Sequence, residues 1–365
     1  MYAVIKHNKA LLVMTVFFAS LPYYFIELLL LRSLGFSYSV IGLLSVVTQI
    51  FGMVFDIPLS FLAHKVGYKK IMIASHLLLC LGLFSLVQGS IVAAFCSAVF
   101  MGLSESLSSG VLSSYTFELF ESEPDYENFL KNANTLKYIF IALVTIISPL
   151  LLKWSVAYPL YLSLLIVAIS LAALLMLPEV MGSEEVTEEH SLFHNLSQVP
   201  WQMIVFGVVF SSLLMVNNQY ASLILLDYHF PLDYLGVLLF LFNLMMALGS
   251  HLKLRWQAVL FLPLCVLAVS FVQTNFALVP LFLVIRMLNA NYVNQFAIKM
   301  NGAISGDRAV AWSIYNFAIS LSFIVVDLVA GFMADVLGLS GLYRFFGALA
   351  CLYALYYLIR QRLSK

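Results

Sequence analysis

Along this chain the apolar residues neither alternate nor recur every three or four positions. They run on for about twenty at a time, the length that carries a helix across a bilayer core of about 30 Å. Polar residues gather in the short gaps between the runs. Twelve such segments can be marked: Ala10 to Leu31, Val40 to Ala63, Ile71 to Gln88, Ile91 to Phe117, Thr135 to Leu152, Tyr158 to Leu177, Pro200 to Leu226, Tyr234 to Ser250, Trp256 to Phe271, Phe276 to Ile298, Ala309 to Met333 and Leu339 to Ile359. The fifth, eighth and ninth are the shortest. The pattern predicts an all-α membrane protein with twelve transmembrane helices. The first run follows Lys6 and Lys9 as a signal peptide would, but it is too long for a signal-peptide core and lacks a small-residue cleavage site, so it is read as a span.

The polar stretch Pro178 to Val199, with Glu179, Glu184, Glu185, Glu188 and Glu189, falls between the sixth and seventh spans. It divides the chain into a six-helix bundle at 1–177, a linker at 178–199 and a second six-helix bundle at 200–365. A short internal match supports the division. FSYSVIGLL at Phe36 to Leu44 enters the second span and FPLDYLGVL at Phe230 to Leu238 enters the eighth, as duplicated six-helix units predict.

Charge then sets an orientation. Of the 18 Lys and Arg residues, only Arg32, Lys153 and Arg344 fall outside when the N-terminus is placed inside, and Arg286 lies within a span. Positive residues gather on the cytoplasmic side, so both termini and the linker are expected there, in the plasma membrane. The remaining composition agrees: 63% hydrophobic against 10% charged leaves too few charges for a water-facing surface. A net charge of zero gives no support to nucleic-acid binding. The four cysteines stand singly in apolar runs and read as small buried hydrophobes. No metal-ligand spacing, phosphate-binding glycine loop or nucleophile motif is present, so neither an enzyme nor a cofactor is expected.

After the second span comes SFLAHKVGYKK, Ser60 to Lys70, with Asp56 just before it. This resembles the loop between helices 2 and 3 of the major facilitator superfamily. Lys65, Gly67, Lys69 and Lys70 fit its pattern, while Ser60 stands in place of a glycine and His64 in place of the aspartate that helps hold one gated state closed. GLSESLSSGVLSSYTFEL at Gly102 to Leu119, GDRAVAWSIYNF at Gly306 to Phe317 and GFMADVLGLSG at Gly331 to Gly341 are similar to later helices of that family, in the right order. The Gly-Pro-Gly antiporter signature of the fifth helix is absent; only Ser148-Pro149 stands near it. The resemblance implies two bundles that rock about a central cavity, moving a small-molecule substrate with protons as the candidate coupling ion. Efflux, nutrient uptake and a non-transporting receptor or assembly role all remain open. If the loop gates, Lys65 is expected to pair with Glu118.

Polar groups inside the spans supply the candidate chemistry, since a charge at the bilayer centre costs about 2.5–3.5 kcal/mol on insertion scales. Glu27, Glu105, Arg286 and Asp327 lie in apolar runs. Glu105 is the first candidate for a coupling carboxylate, with Glu27 next, and Arg286 with Asp327 is expected to neutralise each other or to hold an ionic substrate. His76 reads as structural. The amides Asn217, Asn218 and Gln219 of the seventh span, Asn243 of the eighth, Asn289, Asn291, Asn294 and Gln295 of the tenth and Asn316 of the eleventh either hydrogen-bond between helices or, with Tyr23, Tyr24 and Tyr115, line an amphipathic cavity, because such groups cannot face lipid cheaply. Ser104, Ser108 and Ser109 have the spacing of a closely packed helix face.

Overall fold

A computed structural model of the chain describes residues 2–109, 111–120, 123–180, 200–251, 255–303 and 308–363. Most of the linker, with its glutamates beyond Glu179, lies outside the described residues, as do the side chains of Ser60 and His64. Among the described residues there is no strand. The helices are α1 (Tyr2–Phe18), α2 (Pro22–Ser33), α3 (Tyr38–Val66), α4 (Tyr68–Val87), α5 (Ile91–Ser108), α6 (Val111–Glu118), α7 (Glu123–Trp154), α8 (Ala157–Leu175), α9 (Trp201–Asp227), α10 (Leu232–His251), α11 (Trp256–Val259), α12 (Leu262–Val269), α13 (Asn275–Ala303) and α14 (Arg308–Leu363).

Among the described residues ten stretches are long and apolar enough to cross a membrane, and α11 with α12 adds the shorter apolar stretch Trp256–Val269. One of the ten, Ile314–Arg360, has 47 residues. At 1.5 Å per residue that is about 70 Å, more than two bilayer cores. It breaks at Gly338, whose φ of 70° and ψ of 173° are not helical, so α14 supplies two crossings and the total is twelve. Large side chains facing outward, such as Phe276 at 91% exposed and Val92 at 69%, make the surface one for lipid and not for water.

Several crossings are interrupted where the apolar pattern reads as continuous. The first is cut at Ala19–Leu21, before Pro22, whose missing N–H suits the first turn of a new helix. The fourth is cut between α5 and α6, and the ninth between α11 and α12, where Pro263 opens the second piece. Between α3 and α4 the connection is Gly67 alone, at φ 104°, a conformation that L side chains rarely adopt.

The described fold divides into two compact units by packing. Unit 1 is Met1–Phe36 with Leu44–Val186, and unit 2 is Ser37–Leu43 with Thr187–Lys365. In unit 1, α4 packs on α5 and α8, and α1 on α8. Ser75 and Ser104 each donate to the other's backbone carbonyl at 2.8 Å, tying α4 to α5. His76 is fully buried, its Nδ1 donating to Met72 O at 2.7 Å and its Nε2 lying 2.9 Å from Ser170 Oγ. These contacts give Ser104 and His76 structural roles, whereas Ser108 donates to Glu105 O of its own helix at 3.0 Å and Ser109 is exposed.

In unit 2, α9 packs on α14, α10 on α13 and α12 on α14. The short segment Ser37–Leu43 belongs here because of α14. Asp335 accepts from Tyr38 N at 2.9 Å and Ser39 N at 2.7 Å, so one carboxylate satisfies two of the orphan N–H groups at the start of α3. The backbones touch on either side: a Cβ at Gly331 would lie 2.4 Å from Tyr38 O, and one at Gly42 would lie 2.4 Å from Asp327 O.

Candidate functional site

The candidate residues collect in one cluster within each unit. In unit 1 the cluster begins on α2, a helix already broken at its start and kinked again at Ile26, where φ is −131° and ψ 15°. The next residue is Glu27. Tyr23, one turn earlier, donates from its hydroxyl to Glu27 Oε1 at 2.8 Å, and its own N–H is held by Ser163 Oγ of α8 at 3.1 Å. Glu27 and Tyr24 lie within electrostatic reach of Glu105 on α5, and Glu105 within reach of Asp56 on α3. Small residues make this approach feasible. A Cβ at Gly102 would come within 2.4 Å of Thr48 O, and one at Gly52 within 3.9 Å of Glu105 Oε2. Among the described residues no basic side chain pairs with Glu27, Asp56 or Glu105.

The loop between α3 and α4 is engaged differently from expectation. Lys69 donates through Nζ to Leu175 O and Leu177 O, at the C-terminal end of α8, where unpaired carbonyls favour a cation. Its N–H meets Glu179 Oε1 at 3.2 Å, and Tyr68 N–H meets Val180 O at 3.0 Å. Lys65 is exposed and makes no ion pair with Glu118 among the described residues; Glu118 lies near Tyr68 instead. Lys70 is also exposed. Tyr115, expected at a cavity wall, is fully buried in the apolar core of unit 1 and donates to Pro178 O at 2.7 Å. The loop and Tyr115 together fasten the chain as it leaves α8.

In unit 2, residues of α9, α13 and α14 line an open pocket of about 290 Å³. Asn218, Gln219, Asn289, Ser211 and Tyr292 supply its polar wall, and Leu214, Met215, Val293 and Phe323 its apolar one. Ser211 Oγ lies 3.0 Å from Tyr292 OH and 3.2 Å from Tyr315 OH, a hydroxyl cluster on one side. Arg286, one turn before Asn289, donates from Nη1 to Asn218 Oδ1 and stacks over Phe242 with 5.0 Å to the ring centroid. Among the described residues Arg286 and Asp327 form no ion pair: the guanidinium is turned to Asn218 and Phe242, and Asp327 is buried on α14. Asn217 is fully buried, with no hydrogen-bond partner for either side-chain polar atom.

Two candidates fall away from the pocket. Asn243 is exposed and returns its amide to Leu239 O of its own helix, and Asn316 is exposed on α14. The Ser211–Tyr292 pair is the participant that sequence reasoning passed over. Asn218 stands in an amide triplet that was visible, but which of three neighbours faces a cation depends on helix rotation.

The family model described as Major Facilitator Superfamily matches residues 10–285. The chain belongs to the major facilitator superfamily. Solved structures of superfamily transporters share the fold at low identity. A nucleoside transporter, NupG, matches with a TM-score of 0.76 at 13% identity, covering 98% of this chain and 99% of that one. A bacterial homolog of the human lysosomal transporter Spinster, in an inward-facing and occupied conformation, matches at 0.74 and 11%, covering 99% and 96%. A POT family transporter in complex with a thioalcohol-conjugated peptide matches at 0.63 and 14%, covering 100% and 96%. No curated protein matches by sequence. The protein is therefore a membrane transporter of this superfamily.

Proposed function

We propose that the protein is a proton-coupled secondary transporter of a small organic solute, with Glu105 as the principal coupling carboxylate and Glu27 as its neighbour. The observation that carries this reading is a row of three carboxylates, Glu27 within electrostatic reach of Glu105 and Glu105 within reach of Asp56, without a basic partner among the described residues. Carboxylates so placed in a membrane cannot all remain ionised cheaply, and protons are the simplest means of neutralising them. The kink at Ile26 places Glu27 on a discontinuous helix, the kind of element that typically forms coupling sites in transporters. The solute is assigned to the amide-walled pocket of unit 2, through Gln219, Asn289 and Asn218. Residence in the plasma membrane with both termini inside, and efflux as the direction, complete the proposal. The basis for efflux is the resemblance of the sequence to bacterial members of the family.

The test uses the purified protein in proteoliposomes with an imposed proton gradient, across a panel that includes nucleosides, since NupG transports them. Glu105→Gln keeps shape and hydrogen bonding but cannot ionise. It is expected to retain solute exchange and lose gradient-driven accumulation. Accumulation by that variant with wild-type pH dependence would move the coupling role to Glu27.

A further inference from the structure

The pocket of unit 2 has a cationic group at its edge that the fold does not neutralise. Arg286 lies on α13 one turn before the wall residue Asn289, and its Nη1 donates to Asn218, which is also a wall residue. Phe242 covers one face of the guanidinium. Its Nε is fully buried and has no hydrogen-bond partner. Among the described residues no carboxylate pairs with it, Asp327 being buried on α14.

A guanidinium has five N–H donors in a rigid fork. A single bond to Asn218 leaves most of that capacity unused. If Arg286 served only to join α13 to α9, an amide would do so without bringing a charge into the membrane, where an unpaired cation is costly. The fork also matches a carboxylate through two parallel hydrogen bonds, which a lysine at the same place does not offer. Among the described residues the pocket wall itself carries no cation, and Arg286 is joined to it through Asn218, so the site is suited to one negative charge and not two. Gln219, Asn289 and the Ser211–Tyr292 hydroxyl pair are left to bond the neutral part of the solute. The volume, about 290 Å³, suits a small molecule.

We propose that Arg286 is the anion-recognition residue of this pocket, and that the solute is a small organic monoanion carrying a carboxylate. The inference rests on the reading of the pocket as the solute site, and it names the solute's chemical class.

Binding to the purified full-length protein in detergent tests it independently of transport. Small monocarboxylates are compared with their own primary amides, benzoate with benzamide and hexanoate with hexanamide, and phenyl phosphate serves as a dianion. At least one acid is expected to bind about tenfold or more tighter than its amide, and phenyl phosphate more weakly than benzoate. Arg286→Gln should erase the preference, and Arg286→Lys should keep part of it. If the Gln variant does not fold, the wild-type comparison of acid with amide decides alone. Amides that bind as well as their acids, acids that do not bind at all, or a preference that survives Arg286→Gln would each overturn the proposal. An acid that binds but is not moved in proteoliposomes would leave the anion site standing and remove the transport reading. Movement of neutral solutes without acid binding would do the reverse.

Discussion

Single side chains in this protein divide into those whose role follows from their own chemistry and those whose role follows from what lies opposite. Glu27, Glu105 and Arg286 could be marked from the sequence because a charge inside an apolar run is conspicuous at any orientation. Their partners could not, because Asn218 and Asp327 present similar prospects to Arg286 until helix rotation is known. His76 shows the opposite case. A lone histidine in an apolar run reads as either switch or scaffold, and its two hydrogen bonds, with Phe18 stacked at 4.5 Å, make it scaffold. His76→Ala is therefore expected to cost about 2–5 kcal/mol of stability, as emptying a buried site does, while leaving the pH profile of transport unchanged. Thermal unfolding in detergent, set beside transport per folded molecule, checks both halves of that statement. A shifted pH profile would make the histidine part of the coupling machinery.

At the scale of helices, the twelve crossings were legible because run length alone identifies a span, but the interruptions were not. A proline inside an apolar run looks the same whether it lies within a helix, as Pro149 does in α7, or starts a new one, as Pro22 does. Close crossings are equally silent until two backbones meet. Gly42→Ala and Gly331→Ala each push a methyl to within 2.4 Å of a backbone carbonyl that cannot move freely, and each is expected to cost about 1–3 kcal/mol. Gly302, on α13, has nothing within 4 Å of its ideal Cβ. Gly302→Ala should instead gain about 0.5–1 kcal/mol from helix propensity. Unfolding midpoints of the three variants side by side would expose an error, since equal effects cannot arise from such unequal space. Asp335→Ala removes the cap on α3 and should cost about 1 kcal/mol, in the range of lost N-caps.

For the whole molecule, the distribution of Lys and Arg expects Lys70 and the linker on the cytoplasmic side. Single cysteines at Lys70 and Glu188, in a background lacking Cys80, Cys96, Cys265 and Cys351, should resist impermeant thiol reagents in intact cells and react once the membrane is opened. Labelling of Glu188→Cys from outside would invert the topology. The division of the structure into two units has one feature that no composition could reveal. The first seven residues of the second crossing pack with unit 2, through Asp335 and the glycine contacts of α14. The consequence concerns how the chain can be cut. A C-terminal fragment made alone would lack the peptide that covers Gly331 and fills the carboxylate of Asp335. Severed at the linker, the two pieces should be recovered intact only when synthesised together in one cell, the N-terminal piece acting as an obligatory folding partner for the other.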